Sequence, residues 1–458
     1  MRRRASALLL LLILAAWAPA LPGASASDAS IVANTTWSGD VTLTGNLTVE
    51  GPAVLTLEPG TVVDADTYAI HVVNGGVVIA DGARLTSTAP VTSQGSHGSG
   101  LWAGLTVDSS SSAYLNSTTI ERAETCLHVE GTLEGNALIL QNCYIGLDVA
   151  GTATAEVDTL YVEQADVFAV RNQGTLDLLN QARFDNVSIG LLSEGVTHVV
   201  NLVVEDALQG VKAVSGTSSI HGLTVEANKI ALGASAGVTF DAYDVTVRNS
   251  GLAVDASDAT SLTVDVLDVS TTGTLLQGRD VVGLSLSNVT ASISDDGAAT
   301  RAIDLPCSGT CHLAAANLAL DNATVHVSGS GTTGFTNTVL HAVNTTRPVL
   351  EATGTGTFET DTMTVLGDGG VLLRDVDTSI QDLHVDLGHG EGPALDLMAG
   401  DHVWGDVVIE RRYSAFDLSS QGLIARYATV SANAFTSTNL STGVHLDTTQ
   451  FDATMMSS

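Results

Sequence analysis

Apolar residues recur along the chain at a nearly constant step: Ile120, Leu140, Val162, Phe184, Val204, Val225, Val247 and Val269. After a wider gap the series resumes through Leu320, Leu340, Val365, Val385, Ile409, Val430 and Phe451. A step of about 21 residues marks a solenoid, in which each coil is stacked on a copy of itself. Around these positions apolar and polar residues alternate, as in Asp244-Val245-Thr246-Val247-Arg248 and Asp382-Leu383-His384-Val385-Asp386. Such alternation predicts strands with one buried face. Small-residue breaks follow at Gly131-Thr132, Gly151-Thr152, Gly174-Thr175, Gly195-Val196, Gly216-Thr217 and Gly237-Val238. There glycine gives the backbone freedom a tight corner needs.

Two or three short strands and their corners, repeated every ~21 residues, predict an all-β chain coiled as a parallel β-helix solenoid. Leucine-rich repeats would need a Leu/Asn consensus that is absent. Calcium-binding nonapeptide repeats would need tandem Gly-Gly-x-Gly-x-Asp, and the fragment Leu366-Gly367-Asp368-Gly369-Gly370 stands alone. Helical repeats fail on the scarcity of 3.6-periodic runs. Nineteen or so coils at the ~4.8 Å strand spacing would make a rod on the order of 90 Å long. Each coil would touch only its neighbours.

The segments Val41-Thr42-Leu43-Thr44-Gly45-Asn46-Leu47-Thr48-Val49 and Leu55-Thr56-Leu57-Glu58-Pro59-Gly60-Thr61-Val62-Val63 resemble the first rungs of secreted right-handed parallel β-helix proteins. So do Arg84-Leu85-Thr86-Ser87 and Leu101-Trp102-Ala103-Gly104-Leu105. The resemblance implies the pectin-lyase-like β-helix superfamily, in its surface-protein branch, over nearly all of the chain. That fold hosts lyases, hydrolases, adhesins and inert scaffolds alike, so it implies no activity by itself.

The chain opens Met-Arg-Arg-Arg, continues through an apolar run to Trp17 and reaches Ala24-Ser25-Ala26. Residues 1–26 thus read as a secretory signal peptide, residues 27–100 as N-terminal capping rungs, and 101–458 as the β-helix proper. The long stretch 280–309, with Asp295-Asp296-Gly297 at its tip, reads as an excursion from the rod, a natural place for binding. No later segment has the ~18 apolar residues of a membrane span.

Acidic residues outnumber basic ones by 50 to 17, for a net charge of −33. Such a field excludes nucleic acid and anionic membranes as partners and attracts cations. The residue after each ladder position is mostly acidic: Glu121, Glu163, Asp185, Glu205, Glu226, Asp321, Asp386, Glu410 and Asp452. Stacked coils would set these outward in one line, where like charges repel and demand screening or bound calcium. Eight Asn-x-Ser/Thr sequons, at Asn34, Asn46, Asn116, Asn186, Asn288, Asn322, Asn344 and Asn439, are candidate glycosylation sites on outward turns.

The densest cluster of chemistry-bearing residues is Asp382, His384, Asp386 and His389, followed by His402, Glu410, Arg411 and Arg412. Asp382, His384 and Asp386 share one strand face and form the candidate metal set. The resemblance implies that a lyase would place an outward Arg or Lys beside calcium-binding acids, with Arg248, Arg374 and Arg411 as candidates. Of the hydrolase signatures, Asn-Thr-Asp is absent and only a lone Gly388-His389-Gly390 stands in the chain, and aromatics make up only 4% of residues. Four cysteines in an exported chain predict two disulfides, Cys126 with Cys143 and Cys307 with Cys311. Cys311-His312 carries a weak likeness to a haem attachment motif, but the cysteine spacing is one residue too long. The expected function is a non-enzymatic, exported scaffold or adhesion rod of the cell surface. Its expected partners are envelope components, glycans or other surface proteins. The alternative is a lyase or hydrolase acting on an extracellular acidic polysaccharide.

Overall fold

The computed structural model describes residues 28–90, 102–257, 259–293, 301–321, 324–336, 338–343, 347–367, 369–388, 392–411, 421–438, 440, 442–447 and 449–457. Residues 1–26, the expected signal peptide, lie outside the described residues. The chain winds into a parallel β-solenoid of about 17 turns, with about 22 residues per turn. At the usual strand spacing this is a rod on the order of 80 Å.

Each turn has three walls. Wall A contains Ala69–Val73 and Thr125–Val129, wall B Val77–Asp81 and Ser112–Asn116, and wall C Arg84–Thr86 and Thr119–Glu121. Every named pairing between walls of successive turns is parallel, as in Ile120 with Leu140 and Val162 with Phe184. From Thr154 to Gln277 the three walls run together as nearly continuous strands of 17 to 19 residues.

The corners explain why these residues bend where they do. Between walls A and B, Gly174, Gly195 and Gly216 stack so closely that a Cβ on Gly174 would stand 2.5 Å from the Ala153 carbonyl oxygen. The other two corners each turn on a single residue in the left-handed region. Asn201, Asp244 and Asn288 (φ +53°, +55° and +52°) turn wall B into wall C, and Gln164, Asn186, Asp206 and Asn249 turn wall C into wall A. Asn and Asp tolerate that conformation better than other residues with a Cβ.

Inward residues form one core from Ile31 to Phe435. At the corner between walls C and A, the ladder valines fit notches left by glycine. The space a Cβ would take on Gly146, Gly190 or Gly210 is occupied by Val162, Val204 or Val225 of the next coil. Buried polar side chains near the A–B corner satisfy one another: Asn172 Nδ2 donates to Thr197 Oγ1 at 2.7 Å, and Ser218 Oγ donates to Ser193 Oγ at 2.8 Å.

The register corrects the expected ladder. Leu320 lies beside Ala342, whereas Leu340 lies beside Leu318, so the sequence-based series slips by two residues there. Val430 pairs with His402 on wall B and not with Ile409, which pairs with Ser437. A slip of two keeps every side chain on the same face of a strand, so alternation alone cannot detect it. The wider gap is filled by Ala291, which pairs with Val269 and Leu320. Much of the expected excursion is therefore wall: Leu284–Ile293 and Arg301–Cys307 pair on both sides. Asp295-Asp296-Gly297 lies outside the described residues. The stack runs on from the rungs before residue 90 to those after residue 102, since His71 pairs with Thr106 and Leu85 with Ile120.

Candidate functional site

The outward acids do not form one line. Glu163, Asp185 and Glu205 stand in direct register, but Gln141 precedes them, and Arg248, Ser270 and Ser292 follow Glu226 in the same row. Asp386 and Glu410 fall in a different row of wall C, and Asp452 sits on wall B beside Ser431. Two of the acids expected outside are buried: Glu121 at 3% and Asp386 at 4% exposure. Glu121 accepts hydrogen bonds from Thr86 Oγ1 at 2.6 Å and Arg84 Nε at 2.8 Å, and from Gln141. Burial pushes its carboxyl up, and the bonds from Thr86, Gln141 and Arg84 outweigh that, holding it below its ordinary value.

Glu163, Asp185 and Glu205 are adjacent like charges at strand spacing, relieved in part by Arg183, whose Nη2 is 2.6 Å from Glu205 Oε2. Their ligand atoms do not gather into a three-oxygen cation site; among the described residues only Asp280, Cys307 and Cys311 bring three such atoms together. Screening is therefore expected to be the relief. Melting curves should shift upward as salt rises from about 0.1 M to about 1 M, where the Debye length falls from ~10 to ~3 Å. Glu163→Gln should melt higher than wild type at low salt and equal it at high salt. A calcium-dependent rise at constant ionic strength would contradict this.

The candidate metal set does not converge. Asp382 is exposed, His384 half-buried and Asp386 buried on one strand. Alternate residues of a strand stand ~6.6 Å apart and the outer pair about twice that, too far for one cation. His384 instead lies 2.7 Å from Glu410 Oε1 through its Nε2. Arg411, expected outward, is buried at 5%, while Arg248 and Arg374 are exposed. His389 and Arg412 lie outside the described residues. His402 is buried and bonded to Thr378 Oγ1 at 3.0 Å; burial pushes its imidazole below its ordinary value.

Charged side chains meet on wall A, a cluster the sequence pattern did not expose. Its outward row carries Thr106, His128, Asp148 and Arg171 on successive coils. His128 Nδ1 is 2.8 Å from Asp148 Oδ2, and Arg171 donates to both Asp148 oxygens at 2.6 and 2.7 Å. His128 Nε2 faces Glu130 at 3.3 Å. The hydrogen bond to Asp148 is the main cause that raises the His128 pKa. Asp148 itself is pushed up by burial and pulled further down by His128 and Arg171, ending below its ordinary value. The signal lay in the register: His128 and Asp148 are 20 residues apart, one coil, on a wall the ladder did not follow.

Further along, Lys212 and Asp255 flank Gly233 in the same row. The missing side chain leaves a recess of about 140 Å³, also lined by Gln209, Ile230, Ser235 and Ser257. A second pair, His326 Nδ1 and Asp304 Oδ1 at 2.7 Å, follows.

These shifts set opposite pH dependences. His128 has a raised folded pKa, so its contribution is complete below its ordinary 6.5 and is lost as pH rises through the folded value. Asp148 has a lowered one, so its contribution is complete above its ordinary 3.8 and is lost as pH falls through the folded value. His128→Gln is expected to cost about 1 kcal/mol or less at pH 6, and less still at pH 9. Paired denaturation curves across that range check the sign; a cost that grows with pH contradicts the assignment.

Cys126 and Cys143 join neighbouring coils across a Cα separation of 5.8 Å, and Cys307 and Cys311 close a corner across 6.1 Å. With its sulfurs so joined, Cys311 offers no thioether attachment for haem, and His312 Nε2 is engaged by Thr336 Oγ1 at 3.0 Å. The sequon residues Asn34, Asn46, Asn116, Asn186 and Asn288 are exposed. Asn322, Asn344 and Asn439 lie outside the described residues. Among the described residues no helix is long and apolar enough to cross a membrane. No protein-family model matches the chain, and no curated protein matches it significantly.

Proposed function

We propose that the chain is a non-enzymatic, exported surface protein of the pectin-lyase-like β-helix kind, a rigid acidic rod for scaffolding or adhesion. The observation that carries this reading is how the outward charges are used. Glu121, Asp148, Glu205, Asp304 and Asp396 are each bonded to a cation or histidine of a nearby coil or strand position. Groups tied from coil to coil stiffen a rod. The signal-like segment 1–26 and the exposed sequons support export to the cell surface, where glycans, envelope components and other surface proteins are the partners. Two measurements test it. Fractionation should place the protein outside the cell with its chain beginning at Ser27, and beads coated with it should adhere to intact cells or their envelopes. A cytoplasmic protein retaining residues 1–26 would overturn it.

A second reading, a lyase or hydrolase on an acidic polysaccharide, is favoured by the recess between Lys212 and Asp255. There Lys212 would be the outward base that the family resemblance implies. New reducing ends or unsaturated products from uronic-acid polysaccharides, lost in Lys212→Ala, would establish it over the first.

A further inference from the structure

The corner formed by Cys307-Ser308-Gly309-Thr310-Cys311 holds a third group. Asp280, from the preceding coil, accepts hydrogen bonds from Ser308 N at 2.6 Å, Ser308 Oγ at 2.8 Å and Gly309 N at 3.4 Å. Its own amide donates to Pro306 O at 3.2 Å, so the carboxylate is held against the corner from both ends. The backbone bond from Ser308 keeps that carboxyl below its ordinary value. One Asp280 oxygen and the two sulfurs lie within 4.8 Å of one another. The ligand atoms of a tetrahedral zinc site stand just under about 4 Å apart, so small side-chain movements suffice. Both cysteines are buried, at 2% and 5% exposure, while Asp280 is only half-buried, which leaves an open side for a water.

We propose that this corner is a redox-gated metal site: once reduced, the Cys307 and Cys311 thiolates and the Asp280 carboxylate take one thiophilic divalent cation such as Zn²⁺. A dithiol reductant supplies two electrons and two protons, the S–S bond breaks to two thiols, and the reductant closes to its own disulfide. The cation then displaces the two thiol protons, and a water completes the tetrahedron. Two sulfurs and one oxygen select soft or borderline ions over Ca²⁺ or Mg²⁺. The same corner is thus fastened either by a disulfide or by a metal, and the turn is held by Asp280 in both states.

The test uses the full chain, oxidised and after reduction with a phosphine, which restores both thiols while taking up one oxygen from water. Zn²⁺ binding is read by competition with a chromophoric chelator, and Co²⁺ binding by its thiolate charge-transfer band. Reduction should create one site per chain. Cys307→Ser/Cys311→Ser should abolish it, and Asp280→Asn should weaken it at least roughly tenfold. Circular dichroism should show the strands intact after reduction. The proposal is overturned if reduced wild type binds no more metal than the double serine variant, or if Asp280→Asn binds as tightly as wild type. It also fails if the reduced chain unfolds, because the corner must outlast its S–S bond.

Discussion

Truncating Phe184 to alanine is expected to lower the stability of the rod by about 3–5 kcal/mol. The ring is wholly buried and lies between Val162 of one coil and Val204 of the next. Loss of its apolar surface accounts for part of the cost, and the cavity left behind for the rest. Relaxation is restricted here, because the backbones on both sides are fixed by parallel ladders. Each coil rests only on its neighbours, so the damage starts at one place in the stack. Tyr161, in the adjacent coil but 36% exposed, supplies the comparison: Tyr161→Ala should cost within about 0.5 kcal/mol. Equilibrium denaturation of both variants decides the matter. A loss at Phe184 no larger than that at Tyr161 would mean that the ladder does not face the core.

What the sequence made legible follows from what repeats. The apolar ladder from Ile120 to Val269 and the glycine corners after wall A depend on residue type at a fixed step, and they stand where the step places them. Two things were hidden. Register shifts of two, as at Leu340, leave the inside–outside pattern unchanged and so leave no trace in it. Burial of outward residues is hidden as well: Glu121 occupies an outward position yet is covered by Arg84, Thr86 and Gln141, which come from two other coils. The same limit explains the candidate metal set. Asp382, His384 and Asp386 share a strand face, but a strand spreads its side chains along a line. In a solenoid, groups converge across coils, as His128 and Asp148 do, or at corners, as Asp280 and the two cysteines do. The left-handed corner residues Asn186, Asn201, Asp244, Asn249 and Asn288 stand at irregular intervals because they belong to two different corners, so no single step reveals them.

The second large effect concerns a residue with no side chain. Gly210→Val is expected to destabilise the rod by about 3 kcal/mol, the upper end of what overpacking costs. A Cβ at position 210 would stand 2.5 Å from the Ala231 carbonyl oxygen and would overlap Val225 Cγ1. The first partner is backbone held in the ladder, since Gln209 and Val211 pair with Ile230 and Leu232 on either side of it. It can give way only by disturbing those hydrogen bonds. The second partner is a side chain that can be removed, which makes the two contributions separable. Val225→Ala alone opens a cavity in the ladder and should be destabilising. In the Gly210→Ala/Val225→Ala double variant, the new methyl occupies part of the vacated space, so the two costs should fall short of their sum by roughly 0.5–3 kcal/mol. What remains in the double variant reports the clash with the Ala231 carbonyl. Strict additivity would show that the valine does not sit in the glycine notch. The interlock of Val162, Val204 and Val225 with the coil before each would then be no part of what holds the turns together.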